Sequence, residues 1–191
     1  MAEVPFLETE RLQLFPVGDG HATERYLGWL NDKETNRYLE TGRFPISLDQ
    51  LKGFINGVRE RGALFLAIHV KQDGTQIGNI KTDSAHIGNI KIDSFEFLHR
   101  RAEYGVLIGD KGAWGKGYAA EASEAVLRHC FRRMNLRKIT LGVVADHTTA
   151  LRLYEGKLRF KREGQLREHV YSDGQFRDVI RMATFCEDWR E

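Results

Sequence analysis

The segment from residue 102 to residue 121 constrains the fold most, because its pattern indicates a strand, a glycine-rich turn and the start of a helix. Gly112, Gly115 and Gly117 fall where the strand pattern gives way to an apolar helical pattern. Glycines at such a junction let a ligand approach main-chain N–H groups without a Cβ in the way. The first N–H groups of a helix lack partners inside it, and the dipole makes that end positive. The segment therefore predicts a seat for phosphate or pyrophosphate oxygens.

Two common phosphate-binding motifs do not fit the glycine-rich turn. A Walker A loop needs a Ser or Thr after its lysine, whereas Lys116 is followed by Gly117 and Tyr118. A dinucleotide fingerprint needs the spacing Gly-x-Gly-x-x-Gly, whereas these glycines run Gly112-x-x-Gly115-x-Gly117. The ligand is thus expected to belong to another phosphate-bearing class.

The turn resembles the acetyl-CoA-binding motif of the GNAT superfamily of N-acetyltransferases, Gln/Arg-x-x-Gly-x-Gly/Ala. It matches that pattern at Gly117 and Ala119, with Trp114 in place of the first polar residue. The run Trp-Gly-Lys-Gly-Tyr-Ala resembles the RimJ/RimL-like branch, whose founding members acetylate ribosomal protein N-termini. Residues 143–160 resemble the second cofactor-contacting segment of the family, and residues 162–179 resemble the closing hairpin of that branch. The likeness covers most of residues 6 to 187.

The resemblance implies an α/β fold in which a twisted, mostly antiparallel sheet with two splayed parallel central strands is flanked by helices. It implies acetyl-CoA as the acetyl donor and direct attack by a primary amine within a ternary complex. An enzyme of the acyltransferase class is expected. The alternative is a non-catalytic acetyl-CoA-binding sensor or partner module.

By the same resemblance, main-chain groups of one strand end are expected to pair with the pantetheine arm of the cofactor. An N–H of Val106 or Leu107 is also expected to face the oxyanion. The remaining cofactor contacts are expected from the glycine-rich turn and from the second segment, where His147 stands in place of the usual Asn. The expected cofactor-binding residues are Val106, Leu107, Ile108, Trp114, Gly115, Lys116, Gly117, Tyr118, Ala119, His147 and Tyr154.

Two side chains are candidates for proton transfer. Tyr154 resembles the family position whose hydroxyl lies near the CoA sulfur, and an unperturbed tyrosine is protonated at pH 7. Glu103 lies on the strand that enters the turn and is the candidate general base for an ammonium substrate. His99 and Glu96 are the alternatives for the base, and a dedicated base can also be absent.

The acceptor is expected to contact the N-terminal helical region and the late hairpin. The substrate-binding candidates are Trp29, Asp32, Tyr38 and Phe44. Their alternative role is ordinary helix packing with solvated charges. The expected order of acceptors is a protein or peptide N-terminal amine, then an amino sugar, then a polyamine or small antibiotic amine.

Length and composition fit one soluble domain over residues 1–191, with 41% hydrophobic and 29% charged residues. The formal charge of +2 is too small to argue for nucleic acid or an anionic membrane. Two distant cysteines and scattered histidines predict neither a disulfide framework nor a metal site. No signal-peptide pattern or membrane-length apolar run occurs, so the expectation is a cytoplasmic monomer or homodimer.

The patterns also predict most of the elements. Helices are expected over 20–39, from Ser47 as N-cap to about 61, over 115–134 and over 148–156. Strands are expected over 9–16, 63–70, 101–109 and 138–145, with a hairpin turning at 172–175. An eight-residue segment at 77–84 recurs at 87–94 with one substitution, which favours a lengthened or extra hairpin remote from chemistry. A modified acceptor site or dimer edge is the other interpretation.

Overall fold

The structure is a computed structural model that describes residues 4–71 and 86–189. Its strands are β1 (Leu7–Glu8), β2 (Leu12–Pro16), β3 (Leu64–Val70), β4 (His86–Glu96), β5 (Arg101–Ile108), β6 (Lys138–Val144), β7 (Lys161–Ser172) and β8 (Gln175–Phe185). Its α-helices are α1 (Glu24–Asn31), α2 (Leu48–Glu60), α3 (Tyr118–Arg132) and α4 (Thr148–Gly156). Short 3₁₀ turns occupy Asp19–His21, Lys111–Ala113 and Cys186–Trp189.

The eight described strands form one sheet in the order β1-β2-β3-β4-β5-β6-β8-β7. Neighbours pair antiparallel except β5 and β6, which run parallel. Their pairing begins at Arg101 opposite Lys138 and ends at Glu103 opposite Thr140. Beyond that point β5 continues along β4 and β6 continues along β8, so the two strands diverge. The expected mixed sheet with splayed parallel strands is confirmed.

Two α-helices cover each face of the sheet, and an apolar cluster lies between each pair of helices and the sheet. The larger cluster joins α3 and α4 to the sheet, with Leu127, Ile139 and Tyr154 among its buried members. The smaller cluster joins α1 and α2 to the other face, with Trp29 and Leu51 buried in it. Because successive residues of a strand point to opposite faces, β5 sends Tyr104 toward α3 and α4, and Glu103 toward the side of α1 and α2.

The first helix is shorter than its sequence pattern predicts. It ends at Asn31, because Oδ1 of Asp32 accepts hydrogen bonds from the main-chain N–H and the hydroxyl of Thr35. The side chain of Asn36 also donates to the carbonyl of Leu30, at 2.7 Å. Asx side chains that bond to nearby main chain compete with the helical ladder. Tyr38 therefore lies outside the helix that the apolar spacing had predicted for it.

Other elements follow the predicted boundaries closely. Ser47 caps α2: its hydroxyl accepts from the Gln50 N–H, and Oε1 of Gln50 accepts from the Ser47 N–H. These two bonds form the predicted capping box. The hairpin between β7 and β8 turns at Asp173 and Gly174, both with positive φ, as a tight two-residue turn requires. The predicted helix over 115–134 begins only at Tyr118, because Gly115 and Gly117 both adopt positive φ.

The second copy of the repeated segment forms most of β4, in the middle of the sheet between β3 and β5. The first copy and the predicted extra hairpin fall within residues 72–85, outside the described residues. No helix within 4–71 or 86–189 is long and apolar enough to cross a membrane.

Candidate active site

The glycine-rich turn prepares the N-terminus of α3 to receive an anion. Gly117 is the N-cap, in the left-handed region at φ 79°, and no side chain caps the first N–H groups of the helix. Gly115 has φ 73°, and a Cβ placed on it would meet nothing within 4 Å. Open space thus faces unbonded N–H groups at the positive end of a 15-residue helix. These features fit the pyrophosphate of acetyl-CoA.

Contacts from Thr9 and Arg11, near the N-terminal strand β2, stabilise this turn, and the sequence did not predict them. Nη1 of Arg11 donates to the carbonyl of Lys116 at 3.0 Å, and Nε of Arg11 donates to Glu121 at 2.7 Å. The guanidinium also lies over the ring of Tyr118, 4.7 Å from its centroid. Thr9 donates to the same Glu121 carboxylate at 2.6 Å. Burial alone would raise the pKa of Glu121, but hydrogen bonds from Thr9 and Arg11 lower it overall.

Trp114 closes the turn back onto the end of β5. Its indole N–H donates to the carbonyl of Ile108 at 2.8 Å, while 40% of the residue remains exposed. Val106, Leu107 and Ile108 pair with β4 on one side. On the other side β6 has diverged, so alternate residues of this stretch turn main-chain groups toward the gap. The strand end, the turn and α3 therefore surround one opening.

Tyr154 lies on α4 and packs on the face of the sheet toward which Tyr104 of β5 also points. Its ring is buried against Tyr104 and Phe160, with ring centroids 6.0 and 5.8 Å away. Its hydroxyl makes no hydrogen bond to any residue within 4–71 or 86–189. Burial raises its pKa to about 12, so the phenol stays protonated across the working pH range. The phenol is therefore protonated, and its O–H has no acceptor among the described residues.

Glu103 occupies the last paired position of β5 before the gap opens. Its Oε1 accepts a hydrogen bond from Nη1 of Arg181 at 2.8 Å, and both side chains are about 40% exposed. The alternatives for the base lie elsewhere. Glu96 is bonded to Arg101, and His99 lies in the exposed turn before β5, at the end remote from the glycine-rich turn.

His147 joins α4 to the N-terminal segment that carries Tyr38. It is the N-cap residue of α4, and its imidazole stacks on the ring of Tyr38, with centroids 4.0 Å and planes 12° apart. Burial, and then the nearby Arg37, lower the pKa of His147. Arg37 in turn forms an ion pair with Asp173 in the β7–β8 turn. The N-terminal segment and the late hairpin thus meet beside α4.

The other acceptor candidates are dispersed. Trp29 is 8% exposed and packs so closely on Gly109 that a Cβ there would approach its ring to 2.0 Å. Asp32 bonds to Lys111 at 2.9 Å, and this contact, with the hydrogen bonds from Thr35, lowers its pKa to about 2. Phe44 is 81% exposed. Of the four candidates, only Tyr38 touches a residue predicted to bind cofactor.

No group of three or more His, Cys, Asp or Glu side chains within 4–71 or 86–189 is arranged to hold a metal ion.

Comparison with known proteins places this architecture in one family. The acetyltransferase (GNAT) domain family matches residues 11–161. The uncharacterized N-acetyltransferase YoaA of Bacillus subtilis (strain 168) is 30% identical over 174 residues, which are 89% of this chain and 90% of that protein. The chain therefore belongs to the GNAT acetyltransferase family, whose members use acetyl-CoA.

Other similar proteins are named for spermidine. The spermidine N(1)-acetyltransferase of Escherichia coli (strain K12) is 36% identical over 88 residues, 46% of this chain and 46% of that protein. The match thus spans about half the length of that curated relative. The crystal structure of spermidine N-acetyltransferase from Vibrio cholerae in complex with CoA and spermine superposes with a TM-score of 0.80 at 24% identity, over 95% of this chain and 99% of that chain.

Proposed function

We propose that this protein transfers an acetyl group from acetyl-CoA to a primary amine by direct attack within a ternary complex. The observation that carries the proposal is the gap that opens directly after the Glu103–Thr140 pair. One end of this gap meets an uncapped helix N-terminus, and the Tyr154 hydroxyl and the Glu103 carboxylate flank it from opposite faces of β5. Donor seat, proton donor and base thus surround one space.

Acetyl-CoA supplies an activated acetyl thioester when it is bound. The carbonyls of Arg100 and Ala102 face β6, so by alternation the main-chain groups of Val106 and Ile108 face the gap and those of Leu107 face β4. Val106 and the N–H of Ile108 would therefore pair with the pantetheine arm of acetyl-CoA, since the Ile108 carbonyl already accepts from Trp114. Gly115, Lys116, Gly117, Tyr118 and Ala119 would seat the pyrophosphate through N–H groups. Trp114 and His147 would border the arm on either side.

The side chains then divide the proton transfers. Glu103 takes a proton from the acceptor ammonium, directly or through water, and leaves a neutral amine that can attack. The main-chain N–H of Val106 would face the carbonyl oxygen as it gains negative charge, whereas the Leu107 N–H, the other expected donor, is turned toward β4. When the C–S bond breaks, Tyr154 donates a hydrogen bond and a proton toward the departing sulfur. The nitrogen of the new amide gives its second proton through water to the Tyr154 oxygen, and the proton on Glu103 passes to solvent, so charge and protons balance over the cycle.

The acceptor amine is the finer part of the proposal. The RimJ/RimL-like resemblance favours a peptide N-terminus or an amino sugar, whereas the relatives named for their substrate act on spermidine. A cytoplasmic site of action and a monomeric or homodimeric form belong to the same proposal. Tyr38, which lies between the acceptor segment and α4, is the residue that we place at the wall of the acceptor pocket.

The proposal is tested by CoA thiol release from acetyl-CoA with a panel of peptides, amino sugars, spermidine and amino acids. Calorimetry on the same protein measures acetyl-CoA affinity. We expect thiol release that depends on the amine. Binding of acetyl-CoA without release for any amine would favour the sensor or partner module instead. Gly105→Val is a useful variant, because a Cβ at Gly105 meets nothing within 4 Å and the new side chain would enter the space beside Glu103.

A further inference from the structure

We infer that the acceptor of this enzyme is a primary amine with an anionic group a few bonds away, such as a free amino acid. Arg181 would bind the anion while Glu103 receives the ammonium. The inference rests on the proposed function and narrows its acceptor. It follows from how the two side chains meet.

Arg181 reaches Glu103 by crossing a neighbouring strand. Arg181 on β8 lies opposite Gly142 on β6, and Glu103 on β5 lies opposite Thr140 on the same strand. A Cβ on Gly142 would lie 3.1 Å from Nη1 of Arg181, so the guanidinium runs directly over this glycine. A Cβ alone would displace the guanidinium by a few tenths of an ångström, and a β-branched residue at position 142 would obstruct that route. The sequence thus leaves a passage for one arginine to reach the catalytic carboxylate.

The contact uses only part of each group. Among the described residues, Arg181 donates one hydrogen bond, from Nη1 to Oε1 of Glu103 at 2.8 Å. Its Nε and Nη2 donors, and the Oε2 acceptor of Glu103, have no partner within those ranges. A guanidinium can offer two parallel N–H groups to one carboxylate or phosphate. The pair therefore presents a free anion-binding edge beside a free cation-binding oxygen.

Room for a ligand lies on the same face. Residues two apart on a strand share a face, so Gly105 stands next to Glu103 on the side of Arg181. A Cβ on Gly105 would meet nothing within 4 Å, and both charged side chains remain about 40% exposed. A small acceptor can therefore approach both charges at once.

The surrounding charges favour a zwitterion over a polycation. Several carboxylates near the acceptor segment are paired: Asp32 and Glu34 share Lys111, Asp146 pairs with Arg177, and Asp173 pairs with Arg37. Glu103 itself is half neutralised by Arg181. A polyamine that approached Glu103 would meet a carboxylate already paired with Arg181 and would be brought against that guanidinium. An amine that carries its own anion satisfies both partners.

A purely structural role for Arg181 makes a different prediction. If Arg181 only orients Glu103, its loss would lower the rate with every acceptor by the same factor. If Arg181 binds substrate, its loss would act on the acceptors that carry the anion. Matched pairs of acceptors separate the two roles, because an amino acid and its amide differ only in that anion.

The experiment measures kcat/KM by thiol release at pH 7.5 for neutral amino acids, their amides, O-phosphoethanolamine and spermidine. The α-amine of an amide has a pKa of about 7.7–8, as in a peptide, and is thus substantially deprotonated at this pH. Without anion recognition the amide should react at least as well as the acid. We expect the acid to be preferred by about tenfold or more, which one charge-assisted contact can supply. The comparison of O-phosphoethanolamine with the amino acids shows whether a phosphate or a carboxylate is preferred.

Two variants then test the assignment. Arg181→Gln should bring the acid-to-amide ratio close to one, mainly through a higher KM for the acid. Gly142→Val should do the same with both charged residues still present, because it obstructs the path of the guanidinium. Equal rates for acid and amide in the wild type, or an unchanged ratio in both variants, would overturn the inference.

Calorimetry keeps the inference separate from the proposed function. Amino acids and amides are titrated into the protein saturated with CoA. Tighter binding of the acid, lost in Arg181→Gln, supports anion recognition even if no acceptor releases thiol, an outcome that would count against the proposed function alone. No difference in binding and no difference in rate would count against Arg181 as an anion-binding residue.

Discussion

The rings of Tyr104 and Tyr154 meet edge to face, at 89° and with centroids 6.0 Å apart. The two phenols share a buried environment and differ in what their hydroxyls do. Tyr104 is hydrogen-bonded to Ser123 in the core, whereas the Tyr154 hydroxyl has no partner in the described part of the chain. They therefore form a matched pair for separating catalysis from packing.

Tyr154→Phe should lower kcat by about 10²–10³-fold, because general acid catalysis typically contributes that much. Acetyl-CoA affinity should stay within about twofold, since the ring and its packing remain. Tyr104→Phe is the control: it removes a buried hydrogen bond and should lower the free energy of unfolding by about 1 kcal/mol with little change in kcat. Similar losses of kcat in both variants would show that Tyr154 acts through packing.

Gly117→Ala should weaken acetyl-CoA binding at least tenfold. The new methyl group would enter the proposed phosphate seat, and the left-handed backbone at φ 79° would be strained by about 1 kcal/mol. Gly174→Ala supplies the control, because Gly174 has φ 80° in the hairpin turn and carries the same strain far from α3. Calorimetric titration of both variants with acetyl-CoA compares them, and equal affinities would contradict the location of the seat.

Tyr38→Ala should raise the KM of the acceptor by several-fold with a smaller effect on acetyl-CoA. The stack with His147 is the contact that holds the 32–44 segment against α4, and an aromatic pair contributes about 0.5–1.5 kcal/mol. Tyr38→Phe keeps the stacking surface and should behave as the wild type. Initial rates at varied acceptor and fixed acetyl-CoA test this, and an unchanged acceptor KM in Tyr38→Ala would exclude Tyr38 from the acceptor wall.

Acid should destabilise the fold through two buried histidines. His69 and His86 stack 5.1 Å apart next to His21, and burial lowers their pKa values to about 3 and about 4. The unfolded chain, with a histidine pKa near 6.5, binds these protons more readily than the folded chain does. Stability is therefore complete above about pH 6.5 and falls as the pH drops toward the folded-state pKa values. At pH 5 we expect a loss of about 2 kcal/mol for each histidine.

Urea unfolding at pH 7.5 and pH 5 measures this effect. His69→Phe should remove about half of the acid-induced loss, and it also removes a buried Nε2 that has no hydrogen-bond partner among the described residues. His99→Asn is the control, because His99 is exposed. An identical pH dependence in all three proteins would show that other groups govern the acid sensitivity.

Local sequence signals predicted the elements that local chemistry determines. The capping box at Ser47 and the hairpin at Gly174 each depend on residues only a few positions apart, whereas α3 begins at Tyr118, three residues later than predicted. The first helix was predicted to be longer than it is. Apolar spacing does not show where a side chain such as Asp32 accepts main-chain hydrogen bonds and ends a helix.

The missed features of the site are long-range contacts. Arg11 and Glu121 are 110 residues apart, and Glu103 and Arg181 are 78 apart. Neither pair leaves a periodic pattern in a single sequence, since any charged residue on a strand has the same local appearance. Gly142 is a sequence feature that could have indicated the Arg181 contact, because a glycine inside an apolar strand indicates close approach by another group.

The short β5–β6 ladder has a consequence for how the molecule holds together. The first five strands of the sheet are joined to the last three through three residue pairs between β5 and β6. An extended arm bonded along β5 would occupy the place of the missing neighbour, much as an added strand completes an edge. Binding of acetyl-CoA should therefore slow amide hydrogen exchange in β5 beyond Glu103. In this sense the sheet of the enzyme is complete only when the co-substrate is bound.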